Sequence, residues 1–494
     1  MFIVIPMISD NKIIYGVYSV CISTAIFLSY ADLGFISAGI KYAGESYAKG
    51  EQQDELKFYG FSGFILFFFV SLIAGVYFLF SYNPSLLIND IGDSEYLSIA
   101  SKLLFIQAIF SFNTVLQRYV TGVFQVRIEQ YVYQKINIVG SLIKIVSVFY
   151  FFALGKYDIV GYYLFIKIIE LLTLIVGIWI IQKKYKLFFV KYLQAFKFDK
   201  NVYKKTKGLA FSSLFVTAMW ILYYELDIIV VGKLLGASAV AVFALAFIFM
   251  KFLRSLSSII FGPFQNRYNH FIGLNNMESL KALVKKVILF SMPVFVFTII
   301  SIIVLNEKII LSWVGSQYIQ SGIILSLLAI NFLFSFIVIP GANMFVALVR
   351  IKEMYLINIV MVVVFWSGVF YTKNIWGVNS FAIFKLVSGM LAMLFYLRFI
   401  LGFLNESLFN FLKETILRII LPLIIQIGFL LLLINFLPET KSKMNLLIVI
   451  GAGGLGTLLG FLTLYFTSKY YKFEFNHYLI KIVRAKQRIL CKKI

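Results

Sequence analysis

Between Phe58 and Phe80 the chain reads FYGFSGFILFFFVSLIAGVYFLF, 23 residues without one Asp, Glu, Lys or Arg. At 1.5 Å per residue a helix of this length is about 35 Å long, enough to cross the roughly 30 Å hydrocarbon core of a bilayer. Twelve further apolar runs follow the same pattern: Ile13–Ile40, Tyr96–Val120, Ile136–Leu154, Asp158–Ile181, Leu209–Val231, Val240–Phe261, Val284–Leu305, Ile319–Leu348, Ile351–Thr372, Val378–Ile400, Ile416–Leu437 and Leu446–Thr467. The opening MFIVIPMIS is apolar but too short to span, and reads as the end of a helix that begins outside the chain. The expectation is an all-α integral membrane protein of about 14 transmembrane helices with the first one truncated.

Composition agrees. Soluble domains carry about 25% charged residues and about half apolar ones. This chain of 494 residues is 61% hydrophobic and 14% charged, with mean hydropathy +0.92. Its net charge of +23 would suggest nucleic acid for a soluble protein, but the cations lie mostly in short connections between the apolar runs. On one side these connections and the C-terminal tail hold 32 Lys and Arg, against 7 on the other. The positive-inside bias then places the C-terminus in the cytoplasm. No nucleic-acid partner is implied.

Catalytic constellations are missing from the pattern. Cys21 and Cys491 fall at opposite ends of the chain, and His270 and His477 are far apart in sequence, so no metal site and no cofactor are expected. Glu45, Glu51, Asp54 and Glu55 read as a solvated loop. Gly451-Ala-Gly453-Gly-Leu-Gly456 satisfies a dinucleotide-binding pattern, but it sits inside an apolar run, where Gly456 and Gly460 suit close helix packing instead. The chain reads as a non-enzyme.

The informative residues are ionisable groups at membrane depth. Lys144 is central in Ile136–Leu154, Lys167 and Glu170 share a face of the next run, Lys251 and Arg254 share a face of Val240–Phe261, and Lys385 lies within Val378–Ile400. Each mid-depth cation costs about 2.5–3.5 kcal/mol on insertion scales. Embedded acids are fewer: Asp32, Glu170, Glu225 and Asp227. The surplus of cations suggests a watery cavity for an anion such as a phosphate group; pairing of Lys167 with Glu170 and snorkelling of Arg254 are the structural alternatives. Asp227, Glu225 and Glu170 are candidates for carrying H⁺ or Na⁺; Asp227 and Glu225, two apart on one expected helix, point about 200° apart, and either could pair instead with Lys233 or Lys102. Gln107, Asn113, Gln117, Asn331, Asn343 and Asn358 suit hydrogen bonds between helices or to sugars.

Segmentation follows from the longest connection, IQKKYKLFFVKYLQAFKFDKNVYKKTK, ending at Lys207. It predicts an N-terminal bundle over 1–181, a basic linker over 182–207 lying on anionic headgroups, a second bundle over 208–401, two appended helices over 402–468 and a basic tail over 469–494.

Several short motifs carry a resemblance. Tyr15-Gly16-Val-Tyr-Ser19, followed by Ala31-Asp32-Leu-Gly34 and Lys41-Tyr42, resembles the segment after the first helix of Wzx-type polysaccharide (O-antigen) flippases. Glu225-Leu-Asp227-Ile-Ile-Val-Val-Gly232-Lys-Leu-Leu-Gly236 with Val240-Ala-Val-Phe-Ala244 resembles their seventh helix and entry to the eighth, and Val349 to Gly377 their connection into helices eleven and twelve. These flippases belong to the multidrug/oligosaccharidyl-lipid/polysaccharide exporter (MOP) superfamily, with MATE exporters and MurJ. The resemblance implies a MATE-like two-bundle fold around a central cavity in the inner membrane. It also implies alternating-access export of undecaprenyl-pyrophosphate-linked oligosaccharide for lipopolysaccharide biosynthesis, beside a polysaccharide polymerase and a chain-length regulator. A MATE-type ion-coupled exporter, a lipid II flippase and a membrane-embedded glycosyltransferase are the rivals. Surplus lysines speak against the first, and short outer loops against the last.

Overall fold

A computed structural model describes residues 3–89, 93–153 and 156–476. Among these residues every regular element is a helix. Ten helices are long and apolar enough to cross a membrane, or twelve if each of two bent pairs counts as one span. One of the ten, Thr217–Gly273, is 57 residues long. Fully helical it would measure about 85 Å, more than twice the hydrocarbon thickness. It holds the later part of the expected run Leu209–Val231 and all of Val240–Phe261, with Glu225 and Leu226 outside helix and Gly236 at φ 80, ψ 176. All thirteen runs therefore map onto helices. The opening stub forms only the five-residue helix Val4–Ile8. His477, Cys491 and the rest of the basic tail from 477 onward lie outside the described residues.

The chain divides into two compact units, Met1–Ala244 and Leu245–Ile494. In the first, helix breaks are stabilised by specific groups. The chain turns between the helices Ala25–Ser29 and Phe35–Ala48 through Leu33 (φ 48) and Gly34 (φ 82), a left-handed step that glycine takes without Cβ strain. Asp32 caps the second helix, its Oδ2 accepting from the Ile36 amide at 3.1 Å. Tyr77 donates its hydroxyl proton to the Thr24 carbonyl, left without a full helical ladder where Lys12–Ser23 ends. Gly16 has a packing reason: a Cβ there would stand 1.9 Å from the Ala237 carbonyl oxygen. The motif residues Tyr15, Gly16, Asp32 and Gly34 are thus buried, tightly packed or capping positions.

One expectation is corrected here. Glu55 is not in a solvated loop, because the helix Gln52–Tyr82 starts before it, and its carboxylate is 1% exposed. Arg127 donates to both its oxygens, at 2.6 and 3.1 Å, and stacks over the Tyr47 and Tyr185 rings. The basic stretch 182–207 also takes part in packing. Its short helix Phe189–Ala195 docks on Gln52–Tyr82, burying Tyr192, where Gly60 and Gly63 leave room for Ala195 and the Tyr192 hydroxyl. Phe188, Val190 and Leu193 remain exposed.

In the second unit, Leu408–Ile434 and Lys443–Thr467 pack together and on Met277–Val304. A Cβ at Gly456 would meet Leu430 at 2.6 Å, and one at Gly460 would meet Gln426 and Phe297 at 3.0 Å. The glycine-rich run therefore serves helix packing. Buried Gln426 donates to the Phe297 carbonyl at 2.7 Å and to Ser301 Oγ at 2.9 Å, joining the helices where water is absent.

Candidate functional site

Within Met1–Ala244 a cavity of about 340 Å³ opens among four spans. On Gln130–Phe152 its lining residues Tyr133, Asn137, Gly140, Ser141 and Lys144 recur at three- and four-residue steps, the spacing of one helix face. Lys167, Glu170, Thr173 and Leu174 line it from Ile159–Tyr185 for the same reason. The two helices approach closely at Gly140, where a Cβ would stand 2.7 Å from Thr173 Cγ2. One turn further on, Lys144 therefore meets Glu170.

The remaining wall comes from a bent span. Ser94–Phe110 and Asn113–Val126 meet at 45°. Ser111 Oγ donates to the Gln107 carbonyl four residues back, a bond that bends helices by competing with the ladder. The bend presents Gln107, Asn113, Thr114, Gln117 and Arg118 to the cavity. Among the described residues Asn113 Nδ2 is buried without a hydrogen-bond partner. The Gln107 side-chain oxygen accepts from the Tyr163 hydroxyl. Arg118 donates one N–H to the Ser29 carbonyl at the end of the short helix Ala25–Ser29, leaving other guanidinium donors.

Charge is unbalanced in this wall. Three cations, Arg118, Lys144 and Lys167, face one carboxylate, Glu170, giving a formal +2. Glu170 Oε1 lies 3.6 Å from Lys144 Nζ and its Oε2 lies 3.3 Å from Lys167 Nζ. Lys167 also stands over the Tyr163 ring at 5.3 Å. Salt-bridging of Lys167 and Glu170 and the lining of a polar cavity, posed as alternatives by the sequence, hold at once.

The other expected site cations belong to Leu245–Ile494. Lys251 and Lys385 stand over the same Phe247 ring, at 5.2 and 5.6 Å. Lys385 is 0% exposed and also stands 4.7 Å over Phe365, so it departs from the expected water-lined position. Desolvated ring faces stabilise such a cation by about 2 kcal/mol or more in place of water. Arg254 is half-buried, three residues along from Lys251. This unit also holds a groove of about 620 Å³, largely apolar, in which Glu353 pairs with Arg350 at 2.7 Å.

Glu225 and Asp227 do not share a continuous helix, so their expected divergence around one helix does not apply. Glu225 follows the end of Lys200–Tyr224, and buried Asp227 opens Asp227–Gly273, where the helix dipole favours a carboxylate.

Sequence reasoning missed Arg118, which was counted with the loop cations. A signal existed: Asn113, Gln117 and Thr121, with Thr114 and Arg118, recur at four-residue steps and mark a polar helix face inside an apolar span.

No protein-family model matches the chain, and no curated protein sequence matches it. Solved structures do. The lipid II flippase MurJ in an inward closed conformation aligns with a TM-score of 0.59 at 16% identity, covering 92% of this chain and 97% of that chain. A multidrug resistance MATE family transporter of the MOP superfamily, inward-facing, aligns with a TM-score of 0.59 at 15% identity, covering 82% of this chain and 98% of that chain. The chain has the all-helical fold of MOP-type membrane transporters.

Proposed function

We propose that this protein is a flippase that carries undecaprenyl-pyrophosphate-linked oligosaccharide across the bacterial inner membrane by alternating access, its C-terminus in the cytoplasm. The observation that carries the reading is the convergence of Arg118, Lys144 and Lys167 on one polar cavity with a single carboxylate among its charged lining residues. Membrane-embedded cations are costly unless they meet water or anions, and a pyrophosphate supplies the missing negative charge. Arg118 presents a planar fork of donors to phosphate oxygens, while the lysines act as point charges. Asn113, Asn137 and Gln117 offer amide groups to the first sugar. The polyprenyl chain stays in lipid, and no bond is broken.

An organic-cation exporter of MATE type would favour the opposite charge balance. A lipid II flippase carries the same pyrophosphate, so the cavity suits it equally; the glycan decides between the two. Coupling to H⁺ or Na⁺ is assigned to Asp227, and a polymerase and a chain-length regulator would act on the exported product.

The test is deletion of the gene followed by analysis of lipid-linked repeat units. Intact units accumulating on the cytoplasmic face support the reading, and loss of the repeat unit itself overturns it in favour of an enzyme. Complementation of a strain lacking its lipid II flippase would redirect the substrate to lipid II. Lys144→Ala and Lys167→Ala at normal abundance should reproduce the accumulation.

A further inference from the structure

We propose that Glu170 is a resident counter-ion that holds the phosphate site when substrate is absent and must be displaced when a phosphate arrives. This rests on the reading of the cavity as a pyrophosphate site. The geometry is that of a stand-in anion: its two oxygens each reach a different ammonium, at 3.6 Å to Lys144 and 3.3 Å to Lys167, on two neighbouring helices. Charge-assisted N–H···O contacts close to about 2.7–2.9 Å when well formed. Both distances are longer: Lys167 donates a long bond to Oε2 and Lys144 stands just beyond bonding reach of Oε1, so one carboxylate is stretched between two partners.

Exposure points the same way. The Glu170 side chain is 38% exposed, against 26% for Lys144 and 16% for Lys167. The lysines are held in the wall, Lys167 against the Tyr163 ring, while the carboxylate is the member with open space beside it. It can leave; they stay.

Selectivity follows from charge. One carboxylate carries one negative charge, so a monoanion gains nothing by replacing it, whereas a pyrophosphate brings more charge and additional acceptors for Arg118 and Asn113. Glu170 thereby screens out small monoanions. It also keeps the lysines from remaining uncompensated when the cavity empties, which speeds release of the phosphate head. Its role is positioning and discrimination.

The experiment uses full-length protein in detergent and inorganic pyrophosphate as probe, with affinity read by calorimetry. Glu170→Gln removes the competing charge and should tighten pyrophosphate binding at least tenfold, and should let acetate compete where it does not compete in the parent. Glu170→Asp, which keeps the charge, should stay near the parent, and Lys144→Ala and Lys167→Ala should each weaken binding. In cells Glu170→Gln should slow export while binding is tight, a pattern that a misfolded variant cannot give. If Glu170→Gln binds pyrophosphate no more tightly than the parent while both lysine variants bind it more weakly, the counter-ion role is wrong and the phosphate site stands. If neither lysine variant changes the affinity, the phosphate site itself is wrong and the inference falls with it.

Discussion

Arg118 gives the most direct check on the cavity. Replacing it with Ala removes one of three cations, reducing the formal charge of the charged lining residues from +2 to +1. The loss on the protein side is small: the bond to the Ser29 carbonyl disappears, but that oxygen borders a polar cavity where water replaces the donor, so the stability cost stays below the 1–3 kcal/mol of a dry, unsatisfied group. The loss on the ligand side is larger. A hydrogen bond to a charged group contributes about 1.5–3 kcal/mol, and 1.4 kcal/mol is a factor of ten in Kd. Arg118→Ala should therefore weaken pyrophosphate binding by about 10- to 150-fold at nearly unchanged unfolding temperature. Arg118→Lys restores the charge without the fork, so it should recover part of the affinity. Titration calorimetry on purified protein, with thermal unfolding beside it, measures both quantities. An Arg118→Ala protein that binds within twofold of the parent refutes the assignment of this residue to the anion, and with it the argument from net charge.

Two further predictions concern the scaffold. The Glu55–Arg127 pair is 1% and 5% exposed, so Glu55→Ala leaves a buried guanidinium uncompensated and should cost about 3–5 kcal/mol, while Glu55→Leu with Arg127→Met should regain most of it; chemical denaturation in detergent compares the two, and equal losses would refute the pairing argument. Gly16→Ala drives a Cβ into the Ala237 carbonyl and should destabilise by at least the 1–3 kcal/mol typical of overpacking, whereas Gly75→Ala, with open space around it, should be neutral or slightly stabilising. Thermal unfolding of both variants checks the contrast.

The all-helical, membrane-spanning character of the chain was legible in the sequence because hydropathy is a property of single segments. What depends on two segments was not. That Lys144 meets Glu170 is decided by the closeness of Gly140 to Thr173, and nothing in either run states which faces touch. Glu55 looked solvated because it stands beside Asp54 and Glu51, yet a helix starting at Gln52 turns it inward to Arg127. Arg118 stands two residues inside the end of the run Tyr96–Val120, where a cation reads as flanking the membrane; the helix continues to Val126 and keeps it in the span. The break after Tyr224 was invisible for the opposite reason, since Leu209–Val231 has no Gly or Pro to mark a break and its only charged residues are the two acids.

The joint at Ser111 has a mechanical meaning. A straight span resists bending because its ladder of bonds must be strained along its length, but here the ladder is already interrupted, and the segment beyond it forms a separate lever set at 45°. Asn113, Gln117 and Arg118 ride together on that lever, while Gln107 stays behind the pivot with Tyr163. A change of angle at that one place would therefore move all three side chains together relative to Gln107, and the cavity wall would change shape as a unit.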